Sequence, residues 1–195
     1  CLIRMSAPHD KQHLRESLRK ARRDHVAALP HRALMFRRPP APLAALAPEG
    51  SVVGLYHPFA AEAPTHAYAT WFLENGRSVA LPWFANRKSP MRFREWRDPV
   101  ADHGLVTGPF RMMQPEQDAR ELTPGLVIVP LLGFTEACDR LGQGAGHYDR
   151  WLAEHPGARA IGLAWDCQLV ESLPVEEHDK RLDAVVTPTR YYEAE

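Results

Sequence analysis

The most constraining feature of this sequence is an apolar segment past the middle of the chain. Residues 125–132 read Gly-Leu-Val-Ile-Val-Pro-Leu-Leu and carry no polar side chain. Such a run is typical of a strand covered on both faces, as strands of parallel sheets are. The segment therefore predicts a buried central strand.

Strand and helix patterns alternate around this segment. Further strands are predicted at 51–56, 78–83, 91–96, 105–107, 160–165 and 184–186. Helices are predicted at 10–29, 65–76 and 148–155. This alternation predicts βαβ units and a mostly parallel sheet. Ligands bind such sheets beyond the carboxyl ends of the strands, which here are the loops after Tyr56, Trp83, Leu132 and Trp165.

The predicted fold class is α/β: a single three-layer α/β/α domain, Rossmann-like, with a basic N-terminal helix packed on it. We expect this domain to span residues 8–190, with residues 1–7 and 191–195 as tails. Residues 38–50 are rich in Pro and Ala and predict an internal linker loop, in which 43–47 could form one helical turn.

Composition excludes several classes of protein. The chain has 195 residues, of which 45% are hydrophobic and 25% are charged, as in soluble globular proteins. No stretch approaches 18 consecutive apolar residues, so no membrane span is predicted. Three cysteines are too few and too scattered for a disulfide framework or a zinc site. With no secretory leader predicted, we expect a cytoplasmic protein.

Charge is unevenly distributed along the chain. Residues 1–40 hold 10 Lys and Arg against 3 Asp and Glu, and the remainder holds 14 against 21. The basic segment could bind an anion, or it could pair with the acidic body. Bulk nucleic-acid binding is not expected, because no aromatic residues interleave with the basic ones.

A glycine-rich loop at 140–150 is the most informative segment. Gly142, Gly144 and Gly146 alternate directly before a predicted helix. Glycines allow close approach of a ligand, and successive main-chain N–H groups at a helix start form an anion site. Arg140 and Arg150 add positive charge. The loop therefore predicts a phosphate cradle.

Other interpretations of the loop differ in strength. It is not a P-loop, because no Gly-Lys-Ser/Thr follows the glycines. A dinucleotide-binding fingerprint, which would make the protein an oxidoreductase, stays open, since Asp166 lies 20 residues beyond Gly146. The spacing GxGxG and the long approach from Leu132 argue against it. A loop without any ligand also stays open.

The combined motifs resemble the 5-formyltetrahydrofolate cyclo-ligase family over about residues 11–188. The distinctive pieces are Val-Pro-Leu-Leu-Gly-Phe at 129–134 and Asp-Arg-Leu-Gly-x-Gly-x-Gly-x-Tyr-Asp-Arg at 139–150. More modest matches are Lys11-x-x-Leu14-Arg15, Tyr56-x-Pro58 with Glu62, Leu81-Pro82, Met91-x-Phe93, Leu173-Pro174, His178-Asp179 and the segment 182–187.

The resemblance implies an ATP- and Mg²⁺-dependent ligase. Members of the family convert 5-formyltetrahydrofolate to 5,10-methenyltetrahydrofolate through a phosphorylated formyl intermediate and release ADP and phosphate. No covalent enzyme nucleophile is needed, because the protein positions two substrates and neutralises charge. The implied partners are these small molecules alone, bound by a monomer, with no nucleic acid or membrane.

The resemblance also implies roles for individual residues. The implied catalytic residues are Lys11, Arg140 and Arg150. The implied ATP-binding residues are Lys11, Arg15, Arg140, Leu141, Gly142, Gln143, Gly144, Ala145, Gly146, His147 and Tyr148. The implied folate-binding residues are His57, Glu62, Gln143, Gly144, Ala145, Gly146 and His147. The implied Mg²⁺ ligands are Asp149 and Asp179.

Each of these side chains also has a purely structural interpretation. Lys11 and Arg15 could belong to a solvated basic stripe on the first helix. Asp149 could complement a helix dipole, and Glu62 and Asp179 could be ordinary surface acids. Trp83 and Phe84 could wall the folate pocket or belong to the core.

One position departs from the family pattern. His147 stands where the family commonly has the first Tyr of Tyr-Tyr-Asp, and an imidazole can titrate near neutral pH. This departure and the basic N-terminal segment leave a second hypothesis open, a paralogue that binds nucleotide or RNA without catalysis.

Overall fold

An eight-stranded sheet forms the centre of the computed structural model, which describes residues 8–30, 35–176 and 179–194. Its strands are β1 (Val52–Gly54), β2 (Ser78–Trp83), β3 (Arg92–Glu95), β6 (Glu121–Leu122), β7 (Leu126–Pro130), β10 (Arg159–Leu163), β11 (Ala184–Val186) and β12 (Tyr191–Glu193). The strand order is β12-β11-β10-β7-β1-β2-β3-β6. The five strands from β11 to β2 are parallel, and the edge strands are antiparallel.

Two small antiparallel hairpins lie outside the sheet. One pairs β4 (Leu105–Thr107) with β5 (Met113–Pro115), and the other pairs β8 (Gly133–Phe134) with β9 (Arg140–Leu141). The second hairpin leads directly into the glycine-rich loop.

Helices cover both faces of the sheet. The helices are α1 (Pro8–Ala28), α2 (Ala41–Ala45), α3 (His66–Glu74) and α4 (His147–Glu154). Along β7, Leu126 and Ile128 pack in the same core cluster as residues of α1, α2 and α3. Val127 and Val129 pack in the cluster that contains Trp151 of α4. This alternation confirms the predicted three-layer α/β fold, because successive strand residues point to opposite faces.

The basic first helix packs on the sheet layer, as predicted. Leu18 contacts Leu132 and Leu141, and Val26 enters the core next to α2 and α3. The buried Arg22 donates from Nη1 to the carbonyl of Leu131 at 3.2 Å. The helix begins at Pro8, two residues before the predicted start. Among the described residues, no helix is both long and apolar enough to cross a bilayer.

The segment 38–50 is not a plain linker, and it contains a helical turn close to the one expected at 43–47. Residues Ala41–Ala45 form α2, and Leu43 and Ala47 are fully buried in the core. Arg77 holds this segment by donating from Nε to the carbonyl of Ala47 at 2.8 Å. Proline is tolerated in the first turn of a helix, so a Pro-rich composition here marks a helix start rather than a flexible linker.

The prediction of a C-terminal tail from 191 also differs from the structure. Tyr191–Glu193 adds strand β12 to the sheet edge, with Tyr192 opposite Val185 and its ring 5.1 Å from that of Phe134. Three residues are too few to show a strand period in the sequence. The tail predicted at residues 1–7 lies outside the described residues.

If α2 is part of the core, Leu43→Ala should destabilise the protein strongly. We expect a loss of about 2–5 kcal/mol in the free energy of unfolding, measured by chemical denaturation, because the truncation leaves a cavity. Leu46→Ala is the matched control, since Leu46 is 36% exposed. It should cost about 1 kcal/mol or less. Equal losses for both variants would contradict the packing described here.

Candidate active site

A cavity of about 430 Å³ opens beyond the carboxyl ends of β1, β2 and β7. Three of the four predicted strand-end loops lead to this cavity. The loops after Tyr56 and Trp83 line it, and the chain after Leu132 leads into the glycine-rich loop, which also lines it. The loop after Trp165 is not among the described lining residues. There the buried Gln168 donates from Nε2 to the carbonyls of Leu131 and Leu132, so that turn has a structural role.

The cavity collects nearly all of the predicted site residues. Its polar and charged lining consists of Lys11, Arg15, Tyr56, His57, Glu62, Arg140, Gln143, His147, Tyr148, Asp149, Glu176 and Asp179. Leu141, Gly142, Gly144, Ala145 and Gly146 complete the predicted set. The structure does not bring Arg150 to this lining. Its Nη2 instead donates to the carbonyl of Ala145 at 2.8 Å and contacts Nδ1 of His147 at 3.0 Å, so Arg150 braces the loop from behind.

The glycine loop has positive backbone φ angles, which favour glycine, at two positions. Gly144 has φ of 105° and Gly146 has φ of 64°. A Cβ at Gly144 would lie 3.4 Å from Cζ of Arg15, and one at Gly146 would lie 3.0 Å from Nη1 of Arg150. Gly146 is also the N-cap of α4, so the start of that helix faces the loop. The loop thus combines exposed main-chain amides with a helix N-terminus.

The position of the loop rules out the dinucleotide-binding fingerprint. That fingerprint requires a parallel strand of the main sheet to run directly into the glycines. Here the preceding strand is β9, one half of a separate two-stranded hairpin. The oxidoreductase interpretation is therefore wrong for this loop.

Basic side chains of α1 contact the glycine loop. Arg15 donates from Nε to the carbonyl of Gly142 at 3.2 Å. Arg19, which the sequence placed only in a basic stripe, donates from Nε to Oε1 of Gln143 at 3.1 Å. Because Lys11 is buried and Arg15 is half-buried, the solvated-stripe interpretation is wrong for both.

Three ion pairs join two cations to three acids within the cavity. Nζ of Lys11 lies 2.9 Å from Oε1 of Glu176 and 3.1 Å from Oδ2 of Asp179. The buried Arg140 pairs with Asp149 through Nη2. Nε of Arg140 is buried and has no hydrogen-bond partner within the described part of the chain. A guanidinium with an unsatisfied donor beside a cavity is suited to an anionic ligand.

Glu62 lines the cavity next to the glycine loop. Its Oε2 accepts from the main-chain N–H of Phe59 at 3.0 Å, and its Oε1 accepts from Nε2 of Gln143 at 3.4 Å. Burial raises the pKa of the Glu62 carboxyl, although the Phe59 N–H and the charge of Arg22 oppose this. The Glu62 carboxylate is therefore half-buried and costly to keep charged.

The segment that carries Glu62 is anchored at both ends. Thr65 donates from Oγ1 to the carbonyl of Tyr56 at 2.6 Å, and Tyr56 donates from its hydroxyl to the carbonyl of Ala63 at 2.7 Å. Nε1 of Trp165 donates to the carbonyl of Ala61 at 3.0 Å. These bonds hold the segment against the core, so Glu62 has a defined position.

His147 belongs to an aromatic wall. Its ring lies 4.7 Å from that of Phe84 and 5.0 Å from that of Phe110, both in edge-on or tilted contact. Burial, and then the charge of Arg150, lowers the pKa of His147 below its ordinary value of 6.5. Its surroundings therefore favour the neutral imidazole.

Several lining residues were missed by the sequence analysis. Met91, Phe110, Met112 and Met113 add an apolar wall next to Phe84. Apolar residues in the polar segment 108–116 are the only sequence signal for this wall, and nothing local shows which surface they face. Trp83 is not part of the wall, since its ring stacks under the guanidinium of Arg94 at 4.1 Å.

Solved structures share this architecture. The NMR structure of Aquifex aeolicus 5,10-methenyltetrahydrofolate synthetase aligns with a TM-score of 0.72 and 23% identity, over 94% of this chain and 92% of that one. The 5,10-methenyltetrahydrofolate synthetase from Mycoplasma pneumoniae aligns with a TM-score of 0.59 and 21% identity, over 90% and 97% of the two chains. At these identities the likeness shows the fold.

Sequence comparisons show the family. The chain is 44% identical to the Escherichia coli 5-formyltetrahydrofolate cyclo-ligase over 95 residues, which is 46% of this chain and about half (52%) of that protein. It is 30% identical to the Mycolicibacterium smegmatis 5-formyltetrahydrofolate cyclo-ligase over 193 residues, 94% of this chain and 96% of that protein. Residues 7–188 match the model of one family, and on that match the chain belongs to the 5-formyltetrahydrofolate cyclo-ligase family.

Proposed function

We propose that this protein closes 5-formyltetrahydrofolate into 5,10-methenyltetrahydrofolate at the expense of ATP. Family membership supports this reaction, as do the names of the relatives above. The observation that carries the proposal is that one cavity is lined by a cationic cradle, by the partly buried carboxylate of Glu62 and by aromatic side chains. Such a cavity can bind a polyphosphate and a heterocycle side by side.

The cationic wall is the proposed ATP site. Lys11, Arg15 and Arg140 would contact the phosphates, together with the main-chain amides of Gly144 and Gly146. The unsatisfied Nε of Arg140 supports this assignment, because an anion would complete its hydrogen bonding. Arg19 and Arg150 would act indirectly by holding the loop in shape.

The residues present also fit a magnesium ion. Asp149 and Asp179 line the same cavity, and carboxylate oxygens are the ligands that Mg²⁺ prefers beside phosphates. When bound, the ion would neutralise charge on the transferred phosphoryl group. Each carboxylate is paired with a phosphate-binding candidate, Asp149 with Arg140 and Asp179 with Lys11. A bound nucleotide would supply negative phosphates for Lys11 and Arg140, and its metal would supply positive charge for Asp149 and Asp179. These ion pairs could therefore exchange partners without leaving a charge uncompensated.

The part of the cavity around Glu62 is the proposed folate site. Glu62 would accept hydrogen bonds from N–H groups of the pterin ring. Phe84, Phe110 and the neutral ring of His147 present flat or edge-on surfaces to the same ligand. His57 lines this part of the cavity and is a further candidate contact.

The reaction needs positioning and charge stabilisation more than acid–base chemistry. The formyl oxygen attacks the γ-phosphorus, the bond to ADP breaks, and the formyl oxygen becomes part of a phosphate leaving group. The neighbouring folate N10–H then adds to the formyl carbon, its proton passes to solvent, and phosphate departs with the former formyl oxygen. Lys11 and Arg140 would stabilise the charge on the transferred phosphoryl oxygens, and Glu62 would hold the folate in line.

The reaction is tested by mixing the protein with ATP, Mg²⁺ and 5-formyltetrahydrofolate and recording the near-ultraviolet absorbance of the methenyl product. We expect a rise that requires both ATP and Mg²⁺. Folded protein that binds nucleotide without producing this rise would overturn the proposal and favour the non-catalytic paralogue.

Single substitutions can test the proposed ATP site and the proposed folate site separately. Arg15→Ala should raise the KM for ATP by about 10- to 100-fold and leave the KM for folate unchanged, because a charge-assisted phosphate contact is lost. Glu62→Gln should raise the KM for folate and leave the KM for ATP unchanged. Lys20→Ala is the matched control on α1, since Lys20 pairs with Asp24 on the exposed face. If both variants changed only the folate parameter, the assignment of the walls would be wrong.

The raised pKa of Glu62 predicts a pH effect. A raised pKa means that the carboxylate is lost at a higher pH than the ordinary 4.5, so kcat/KM for folate should fall as the pH drops through this raised pKa and should begin to fall above pH 4.5. Glu62→Gln should flatten this acidic limb of the pH profile.

The same shift predicts how stability depends on pH. Folding favours the neutral form of Glu62, so the stability that Glu62 contributes is present below pH 4.5 and lost as the pH rises through the raised pKa. Glu62→Gln should therefore be at least as stable as the wild type at pH 7, and lower stability would contradict this account.

A further inference from the structure

Two histidines and an aspartate converge beside the cavity. Nε2 of His57 lies 3.0 Å from Oδ2 of Asp102, and Nε2 of His66 lies 3.5 Å from the same oxygen. One donor atom from each residue lies within 4.8 Å of those of the other two. Within the described residues, this is the one group of three His, Cys, Asp or Glu side chains with such spacing. The role proposed above for Glu62, Asp149 and Asp179 makes no use of His66 or Asp102.

The fold brings these residues together from three separate elements. His57 follows β1, His66 begins α3, and Asp102 lies in the turn between β3 and β4. Asp102 has a left-handed backbone, with φ of 55°. Its turn is held by Asp98, whose Oδ1 accepts from the N–H of Ala101 at 3.0 Å. The position of the Asp102 carboxylate is thus defined by local hydrogen bonds.

The polar group is incomplete as it stands. Both imidazoles are directed at one carboxylate oxygen, while the other, Oδ1 of Asp102, is buried and has no hydrogen-bond partner among the described residues. The ring of the buried Trp96 lies 5.2 Å from that of His66 and 6.0 Å from that of His57. It limits the rearrangements open to the imidazoles on that side.

We propose that His57, His66 and Asp102 bind a first-row transition-metal dication, for which Zn²⁺ is the representative ion. Imidazole and carboxylate together are a typical Zn²⁺ donor set, with metal–ligand distances of about 2.0–2.2 Å. Tetrahedral ligands at such distances are about 3.3 Å apart. The separations of 3.0 and 3.5 Å already match this spacing. Three protein ligands leave a fourth position for water.

This site differs in chemistry from the proposed Mg²⁺ ligands. Mg²⁺ prefers an all-oxygen shell, whereas two of the three donors here are imidazole nitrogens. The ion would tie both ends of the segment 57–66, which carries Glu62, to the turn that carries Asp102. The site therefore stabilises one wall of the cavity, and it does not depend on which reaction the cavity supports.

The test uses the full chain, stripped of metal with a chelator and then titrated with Zn²⁺ by calorimetry. We expect one tight site and a rise in melting temperature of about 5–10 °C at a Zn²⁺ concentration 100 times the dissociation constant. Mg²⁺ at millimolar concentration should not compete. Co²⁺ substitution should produce visible ligand-field bands without the charge-transfer band of a thiolate, which excludes cysteine as the ligand.

Variants locate the site. His66→Gln and Asp102→Asn should each weaken Zn²⁺ affinity more than tenfold. His103→Gln is the matched control, because His103 pairs with Asp98 at 2.7 Å in the same turn but lacks a third ligand. It should leave the affinity unchanged. Circular dichroism is used to check whether each variant is folded.

Three results would overturn the proposal. They are no Zn²⁺ binding by the stripped wild type, unchanged affinity in both folded ligand variants, and an equal loss in the His103→Gln control. If one ligand variant fails to fold, the other decides the question.

Discussion

The electrostatic contact between the first helix and the glycine loop is the interaction on which the cavity depends. Arg15 and Arg19 donate to Gly142 and Gln143, so two side chains of α1 hold a loop more than 120 residues away. Without them, a loop with φ of 105° at Gly144 would have many conformations. The helix therefore contributes shape as well as charge to the cavity.

Acids and cations balance each other in this cavity. Lys11 with Asp179 and Arg140 with Asp149 are ion pairs formed with little exposed area on the cation. Charged groups in such surroundings need partners, since an unpaired buried charge is costly. The same residues are those proposed above to bind a polyphosphate and its metal. On that proposal, the atoms that balance charge in the fold would also form the binding site.

The segment after β1 links the cavity to the core. The carbonyls of Ala61 and Ala63 accept hydrogen bonds from the side chains of Trp165 and Tyr56, and these bonds hold the main chain, which in turn places Glu62. The His57, His66 and Asp102 group lies at the ends of this segment. The proposed Mg²⁺ ligands are carboxylate oxygens, whereas two of the three donors of the His57, His66 and Asp102 group are nitrogens. The two proposed sites would therefore select different dications by ligand chemistry.

The sequence by itself determined the kinds of element, the layered α/β fold and the glycine loop. Apolar periodicity and glycine placement are local properties of the sequence. They favour the same secondary structure whatever the rest of the fold is. The resemblance to a known family, carried by several motifs in the right order, also pointed to many of the residues that line the cavity, from Lys11 to Asp179.

Only the tertiary structure decided how distant residues meet. It placed Leu43 and Ala47 of the segment 38–50 in the core, directed Arg150 behind the loop, and left Trp83 outside the cavity lining. It also lowered the pKa of His147, because that shift depends on burial beside Arg150. The histidine–aspartate group joins residues 45 and 36 positions apart, and such separations follow no local period. Their meeting is set by the strand order and by one left-handed turn, which only the assembled sheet defines.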